Sequence, residues 1–290
     1  MSDTASIGDL FNSAADDDVI GQEALDALQV IDLGAKIGDA LGTPADQFQQ
    51  GEVVLVAIVV DDSGSIRFCG NTEPVADGHN CVIDALLESK QQDNILFHSR
   101  LLNGEIINPF VSVDQAKKLV TGPGGNFNPN LGTPLYDEAV AFWGTILAKS
   151  QEFSDQGIPV RTISLLLTDG SDQHSQQFYE LQSGSNGNWR APKSAVKALA
   201  TDLLRQECHI LAGMGVADDD DDQTATDFRS IFSAMGIRDE WVIVVKQDGR
   251  SKDEFKSEIR KQCQVFSQSA VRASQSAANF SQQAVGGFGS

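Results

Sequence analysis

The chain is poor in positive charge: 21 lysines and arginines stand against 41 aspartates and glutamates, a net charge of −20 over 290 residues. A surface of that sign repels phosphate backbones and anionic headgroups, so neither nucleic acid nor a membrane surface is expected as a partner. Long hydrophobic runs are also missing. No apolar stretch approaches the roughly 18 residues that a membrane-crossing helix requires, and Met1-Ser2-Asp3 opens nothing like a signal peptide. Cysteine is scarce, and Cys69, Cys81, Cys208 and Cys263 lack the paired spacing of a metal knuckle. Cys208 and Cys263 fall in helical or strand-entry context and are expected as buried thiols. Cys69 and Cys81 flank a short segment and would pair only in an oxidising compartment, so a cytoplasmic setting is the simpler expectation. The four histidines are scattered, none near a second ligand in sequence, and are read as structural or surface residues.

What is present is a core-forming composition, 41% apolar, and one conspicuous junction. Val53 to Val60 is an unbroken apolar run, the pattern of a strand buried on both faces as in a parallel sheet. Asp61-Asp62-Ser63-Gly64-Ser65 follows directly, placing a carboxylate and two hydroxyls just past the strand's carboxyl end, where open α/β sheets hold their ligands. Such oxygens suit a hard divalent cation that keeps part of its water. The segment alone fits an ordinary strand-to-loop turn equally well, because Asp, Ser and Gly are common turn residues.

Two further segments break that tie. Gly132-Thr133-Pro134-Leu135 closes a Gly/Asn/Pro-rich stretch from Gly122 and opens a helical pattern from Leu135 to Ala148. Thr162 to Leu167 is a second buried strand, ending in Thr168-Asp169-Gly170. The combination resembles the von Willebrand factor A domain, whose metal-ion-dependent adhesion site is an Asp-x-Ser-x-Ser followed by a Thr and then an Asp. On that resemblance, which spans roughly residues 52 to 262, Asp61, Ser63, Ser65, Thr133 and Asp169 are the metal-site residues. It implies that the two serines and the Thr or an Asp touch the metal while the other acidic groups act through water, leaving a position for a partner's carboxylate. Mg²⁺ or Mn²⁺ fits such a set, with Ca²⁺ as an alternative occupant. The second motif position is Asp62 where Gly is more frequent; it is expected to point outward and add charge at the rim, which would favour Ca²⁺.

The organisation around these motifs reads as α/β: a doubly wound, mostly parallel central sheet of about six strands, one of them antiparallel, flanked by helices. Residues 1–50 form an acidic extension with ten acids and one basic residue, Lys36. There Ile20, Ala24, Leu28, Ile31 and Ala35 recur at helical spacing, either as a helix folded on the domain's own sheet edge or as a partner-docking arm. Residues 51–262 are the von Willebrand A-like domain. Within it, Thr72 is expected to cap a helix reaching about Lys90, and Asn94 to Phe110 reads as two strands about a turn at Asn103-Gly104. A short helix is expected over Ser112 to Val120. The long polar loop Gly170 to Asn188 precedes helices at Pro192 to Glu207 and Thr224 to Met235 and strands at His209 to Val216 and Trp241 to Val245. Five acids, Asp218 to Asp222, lack the Gly and distal Glu of a calcium loop and read first as a solvated turn.

Residues 263–290 turn to Ser, Gln and Ala. Phe266, Ala270, Ala273, Ala277, Phe280 and Ala284 recur by fours and threes, a helical seam that extends the final helix from Ser251 and packs either on its own domain or on a second copy as a homo-oligomer. The wording of this tail also resembles the tellurium-resistance-associated group of bacterial von Willebrand A proteins, which implies stress resistance and kinase, phosphatase or ATPase partners. Three function classes follow. The leading one is a non-enzymatic, metal-dependent module that binds the Asp or Glu of a partner protein, within a bacterial or phage multiprotein system. The others are an assembly protein for which the metal is not required, and a metal-dependent hydrolase. No phosphate-cradling loop and no Lys or Arg beside the motifs supports the last.

Overall fold

The computed structural model describes residues 6–29, 31–170, 193–206, 208–217, 222–247 and 249–275. Three helices come first: α1 (Ile7–Asp16), α2 (Gln22–Leu28) and α3 (Ile31–Gly38). Ser6 starts α1 with a reciprocal cap: its hydroxyl accepts from the Asp9 amide at 3.2 Å, and the Asp9 carboxylate accepts from the Ser6 amide at 3.0 Å. The remaining elements are β1 (Val53–Val60), α4 (Gly64–Phe68), α5 (Thr72–Leu87), β2 (Ile95–Leu101), β3 (Ile106–Ser112), α6 (Leu135–Ser154), β4 (Val160–Thr168), α7 (Lys193–Arg205), β5 (His209–Ala217), α8 (Asp222–Ala234), β6 (Val242–Lys246) and α9 (Lys252–Gln275).

The sheet order is β3-β2-β1-β4-β5-β6, with β3 antiparallel and every other pairing parallel. The six strands, the single antiparallel edge and the hairpin at Asn103-Gly104 match the sequence expectation. Gly104 sits at φ +91°, the left-handed backbone that the tight turn between β2 and β3 demands and that glycine adopts without strain. Neighbouring β2 side chains show which helices cover which face. Phe97 packs edge-on against His79 of α5, whereas His98 stacks toward Phe142 of α6. Successive strand residues point to opposite faces, so α5 and α6 cover opposite sides of the sheet. Helix α9 lies along α5, and α7 lies along α6.

Burial of β1 and β4 along their whole lengths explains why both read as continuous apolar runs. Helix α6 is itself buried nearly all round, because α1 and α3 pack on the side turned away from the sheet. The contact is closest at Gly144. A Cβ there would lie 2.5 Å from Leu28 Cδ2 and 3.0 Å from Ile37 Cδ1, a space only hydrogen can occupy. The amino-terminal extension is thus packed on its own domain, and Leu10, Phe11, Leu28 and Ile37 join the common core. Its last residues also reach the sheet edge, where Phe110 N donates to Ala40 O and Thr43 N to Phe110 O.

Several local expectations are corrected. The single helix expected from Ile20 to Ala35 is two helices, because Leu28 and Ile37 must both turn inward onto Gly144. Asn71, not Thr72, occupies the cap position of α5, and its side chain makes no capping bond. Ser112 to Val120 forms only a single turn of 3₁₀ helix, Val113–Gln115. Asparagine amides there take the backbone groups that a helix would pair. Lys117 N donates to Asn108 Oδ1 at 2.7 Å, Leu119 N to Asn80 Oδ1 at 2.8 Å, and Val120 N to Asn126 Oδ1 at 2.7 Å. All four cysteines are free; Cys81 lies inside α5 with Sγ toward Arg260 O of α9, away from any disulfide geometry with Cys69. Cys263 is buried and Cys208 half-buried.

Helix α9 runs without a break through Gln262, so the Ser/Gln/Ala segment continues the domain's last helix, with Phe266 and Ala270 buried. Ala277, Phe280 and Ala284 lie outside the described residues, as do the polar loop from residue 171 and Asp218 to Asp221. Among the described residues no helix is long and apolar enough to cross a membrane.

Candidate metal centre

In register, Val60 of β1 faces Leu167 of β4, so Asp61 stands level with Thr168 and Asp169 follows one residue beyond. At this point the chain order reverses: β2 lies on one side of β1 and β4 on the other, opening a crevice between the loops that leave them. Asp61 is fully buried and anchors the crevice floor. Its Oδ1 accepts from the Ser63 amide at 2.7 Å, and its Oδ2 from Thr168 Oγ1 at 2.5 Å. Burial pushes its carboxyl above the usual range, and the donors Thr168 and Ser63 oppose that rise.

Above this floor the predicted oxygens converge. Ser63 Oγ and Ser65 Oγ are 2.8 Å apart. Ser65 Oγ donates to Asp169 Oδ1 at 2.7 Å, and Ser63 Oγ lies 3.5 Å from the same oxygen. Thr133, also buried, closes the set from the loop that precedes α6. A Cβ built on Gly170 would fall 3.5 Å from Thr133 Oγ1 and 3.9 Å from Ser65 Oγ, so glycine at 170 keeps the space between those hydroxyls clear. All five residues named from the sequence therefore meet at one place.

The loop carrying Thr133 is fixed by backbone bonds rather than by packing alone. Leu131 pairs with Ser63 as an isolated parallel bridge, Gly64 N donates to Leu131 O at 2.9 Å, and Asn130 N donates to Asp62 O at 3.0 Å. Asp62 does not point outward as expected. It is buried, and its Oδ1 accepts from Asn103 N at 3.1 Å and from Asn103 Nδ2 at 2.8 Å. Asn103 Nδ2 also donates to Gly132 O at 2.8 Å, so one asparagine in the β2–β3 turn ties the first loop to the second. Burial raises the Asp62 carboxyl, with the Asn103 donors opposing. The argument for Ca²⁺ from an exposed charge at position 62 therefore falls away.

Two supports escaped the sequence reading. Thr168 ends β4 and looks like any strand threonine, yet it holds Asp61; Asn103 looks like a turn former, yet it holds Asp62. Their roles were hidden because both partners lie far away in sequence. Beside the crevice, Glu138 in the first turn of α6 pairs with Arg100 of β2, both buried. Burial lifts the Glu138 carboxyl to about 7 against the opposing pull of Arg100.

The donor set passes the chemical test for a small hard cation. It is all oxygen, three hydroxyls with carboxylates nearby, and it contains no thiolate or imidazole. Among the described residues no group of three or more His, Cys, Asp or Glu converges, at this crevice or elsewhere, so the set depends on its hydroxyls.

No family model matches the chain, and no curated protein does. Solved structures show a loose likeness. The pilus adhesin SpaC of Lactobacillus rhamnosus GG, in its open conformation, has 15% identity and a TM-score of 0.48 over 76% of this chain and 30% of its own. A point mutant of the PilB minor pilin of Streptococcus sanguinis has 12% identity and a TM-score of 0.48 over 81% and 65%. Proximal thread matrix protein 1 of the mussel byssus, with a zinc-occupied metal-ion-dependent adhesion site, has 14% identity and a TM-score of 0.37 over 73% and 46%. The chain spans less than a third of the SpaC structure's length. Scores this low leave the fold to rest on the sheet order described above.

Proposed function

We propose that this chain is a von Willebrand A-type module that captures the Asp or Glu of a partner protein through a divalent cation, Mg²⁺ or Mn²⁺. The observation that carries this reading is the convergence of Ser63, Ser65 and Asp169 within 2.7–3.5 Å, with Thr133 beside them, at the carboxyl ends of two adjacent strands. In this reading the hydroxyls of Ser63 and Ser65, with either Thr133 or Asp169, hold the ion directly, and the remaining group acts through water. Asp61 orients the loop from below through Ser63 N and Thr168. The bound ion supplies a positive centre that attracts a carboxylate.

The electrostatics favour metal capture over simple steering. A chain of net charge −20 repels an acidic partner at long range, so the contact forms where a local cation reverses the field. Binding rather than catalysis is proposed because Asp61 and Asp62 are both committed to hydrogen bonds that fix the loops. A cytoplasmic bacterial or phage-encoded multiprotein system completes the proposal; Phe266 and Ala270 of the tail seam are buried on the domain itself and offer no oligomer contact.

Affinity capture with immobilised protein tests it. Partners retained in Mg²⁺ should be released by EDTA and lost on Thr133→Ala, while raised salt has the smaller effect. A partner held equally by the variant and in EDTA would place the interaction on another face.

A further inference from the structure

Four large apolar side chains are exposed among the described residues, and two of them stand beside the metal crevice. Phe68 is 80% exposed and Leu131 54% exposed. The ring of Phe68 and the backbone carbonyl of Leu131 both approach Gly64, the residue between the two site serines. A Cβ at Gly64 would lie 3.4 Å from Phe68 Cε2 and 3.9 Å from Leu131 O, and Leu131 pairs directly with Ser63. These side chains are therefore carried by the same backbone that carries the oxygens.

Internal packing does not account for Phe68. Helix α4 buries Ile66, and that residue alone secures it to the core. A polar residue at 68 would leave the fold unaffected and remove an apolar ring from water. Two exposed apolar side chains on the backbone segments that carry a candidate ligand site give a partner apolar surface to cover there. Arg67 adds a second constraint: its guanidinium carbon sits 5.0 Å from the Phe68 ring centroid. That stacking steadies the ring and pairs it with a cation on a strongly acidic molecule.

We infer that Phe68 and Leu131 form an apolar rim that selects, among acidic partners, an exposed protein loop whose Asp or Glu is flanked by bulky apolar side chains. This rests on the metal-capture reading above and specifies the partner's sequence chemistry. The carboxylate is directed to the ion, Arg67 favours its negative charge, and the flanking side chains cover Phe68 and Leu131. Aromatic and aliphatic anchors around a polar centre are the arrangement in which a few residues carry most of the affinity.

Two synthetic peptides test the inference by NMR titration of the full chain in Mg²⁺: acetyl-Gly-Leu-Asp-Leu-Gly-amide and acetyl-Gly-Gly-Asp-Gly-Gly-amide. The leucine-flanked peptide should bind about tenfold more tightly, equivalent to about 1.4 kcal/mol. Phe68→Ser with Leu131→Ser should bring the two peptides to equal affinity, with the Mg²⁺ affinity measured by calorimetry unchanged. Equal binding of both peptides to the wild type, or a preference that survives in the double variant, would overturn the rim while leaving metal capture intact. Binding of neither peptide, or undiminished binding in EDTA, would overturn metal capture and the rim with it.

Discussion

Ser65 Oγ donates to Asp169 Oδ1 at 2.7 Å although 104 residues separate them. The bond crosses from the loop after β1 to the loop after β4, and it gathers the hydroxyl of one strand end and the carboxylate of the other at a single point.

Metal should therefore stabilise the fold through these residues. A ligand that binds the folded state alone adds stability by mass action, about 2.7 kcal/mol at about a hundredfold excess over its Kd. Mg²⁺ or Mn²⁺ should raise the melting temperature of the wild type and leave that of Asp169→Ala unmoved. Calorimetric titration of Asp61→Ala should show no binding heat, since its loss frees the Ser63 amide and Thr168. Wild-type behaviour from both variants would remove the assignment.

Asn103→Ala should destabilise the protein by about 1–3 kcal/mol, because it strips the side-chain donor from the buried Asp62 carboxylate and from Gly132 O. Asp62→Asn should be milder, since a neutral amide tolerates burial better than an ion. Urea denaturation of both variants measures the difference, and the reverse order would contradict the role given to Asn103.

Glu138→Ala leaves the Arg100 guanidinium buried without its carboxylate, a change that costs about 3–5 kcal/mol. Replacing both partners together, as Arg100→Met with Glu138→Leu, should recover much of that loss, because the expensive element is the unpaired buried charge. Equal destabilisation by the single and double changes, in thermal melts, would show the pair to be a net source of stability.

Acid sensitivity should have an imidazole component. His98 is buried between Phe110 and Phe142 with Nδ1 2.6 Å from Asn108 O, and burial lowers its pKa to about 3; His79 and His209 are lowered to about 4 by the same cause. The unfolded chain then takes up protons first. The stability these neutral rings contribute is complete above about pH 6.5 and is lost as pH falls toward their folded values. For His98 the loss at pH 5 is about 2 kcal/mol. Glu138 runs the other way, gaining as pH drops below about 7, and does so in any His98 variant too. His98→Phe should thus show a smaller difference in melting temperature between pH 7 and pH 5 than the wild type. An unchanged difference would mean that the ring is protonated in the fold.

Truncation after Gln262 should lower stability by at least about 3 kcal/mol, the usual cost of losing one buried Phe. It deletes Phe266 together with Cys263 and Ala270 from the face of α9 that packs along α5. An unchanged melting temperature would make the tail a dispensable linker.

The sequence by itself determined the buried strands of the sheet and placed the candidate oxygens just beyond them. A strand covered on both faces has to be apolar at every position, so Val53 to Val60 and Thr162 to Leu167 declare themselves without reference to the rest of the chain. The oxygens follow in the residues just beyond, because a parallel sheet offers its crevice at the carboxyl ends. What the tertiary structure alone decided is which donors meet which acceptors. Asp62 turns inward because Asn103 of a distant hairpin waits there with two donors. Ser112 to Val120 stays largely unwound because three asparagines satisfy its backbone. The amino-terminal helix divides because Gly144 opens a notch that Leu28 and Ile37 both enter. Local periodicity records what a segment can bury and which bonds it can make. The strand order, which sets β4 against β1 and α6 beneath the extension, selects the partners.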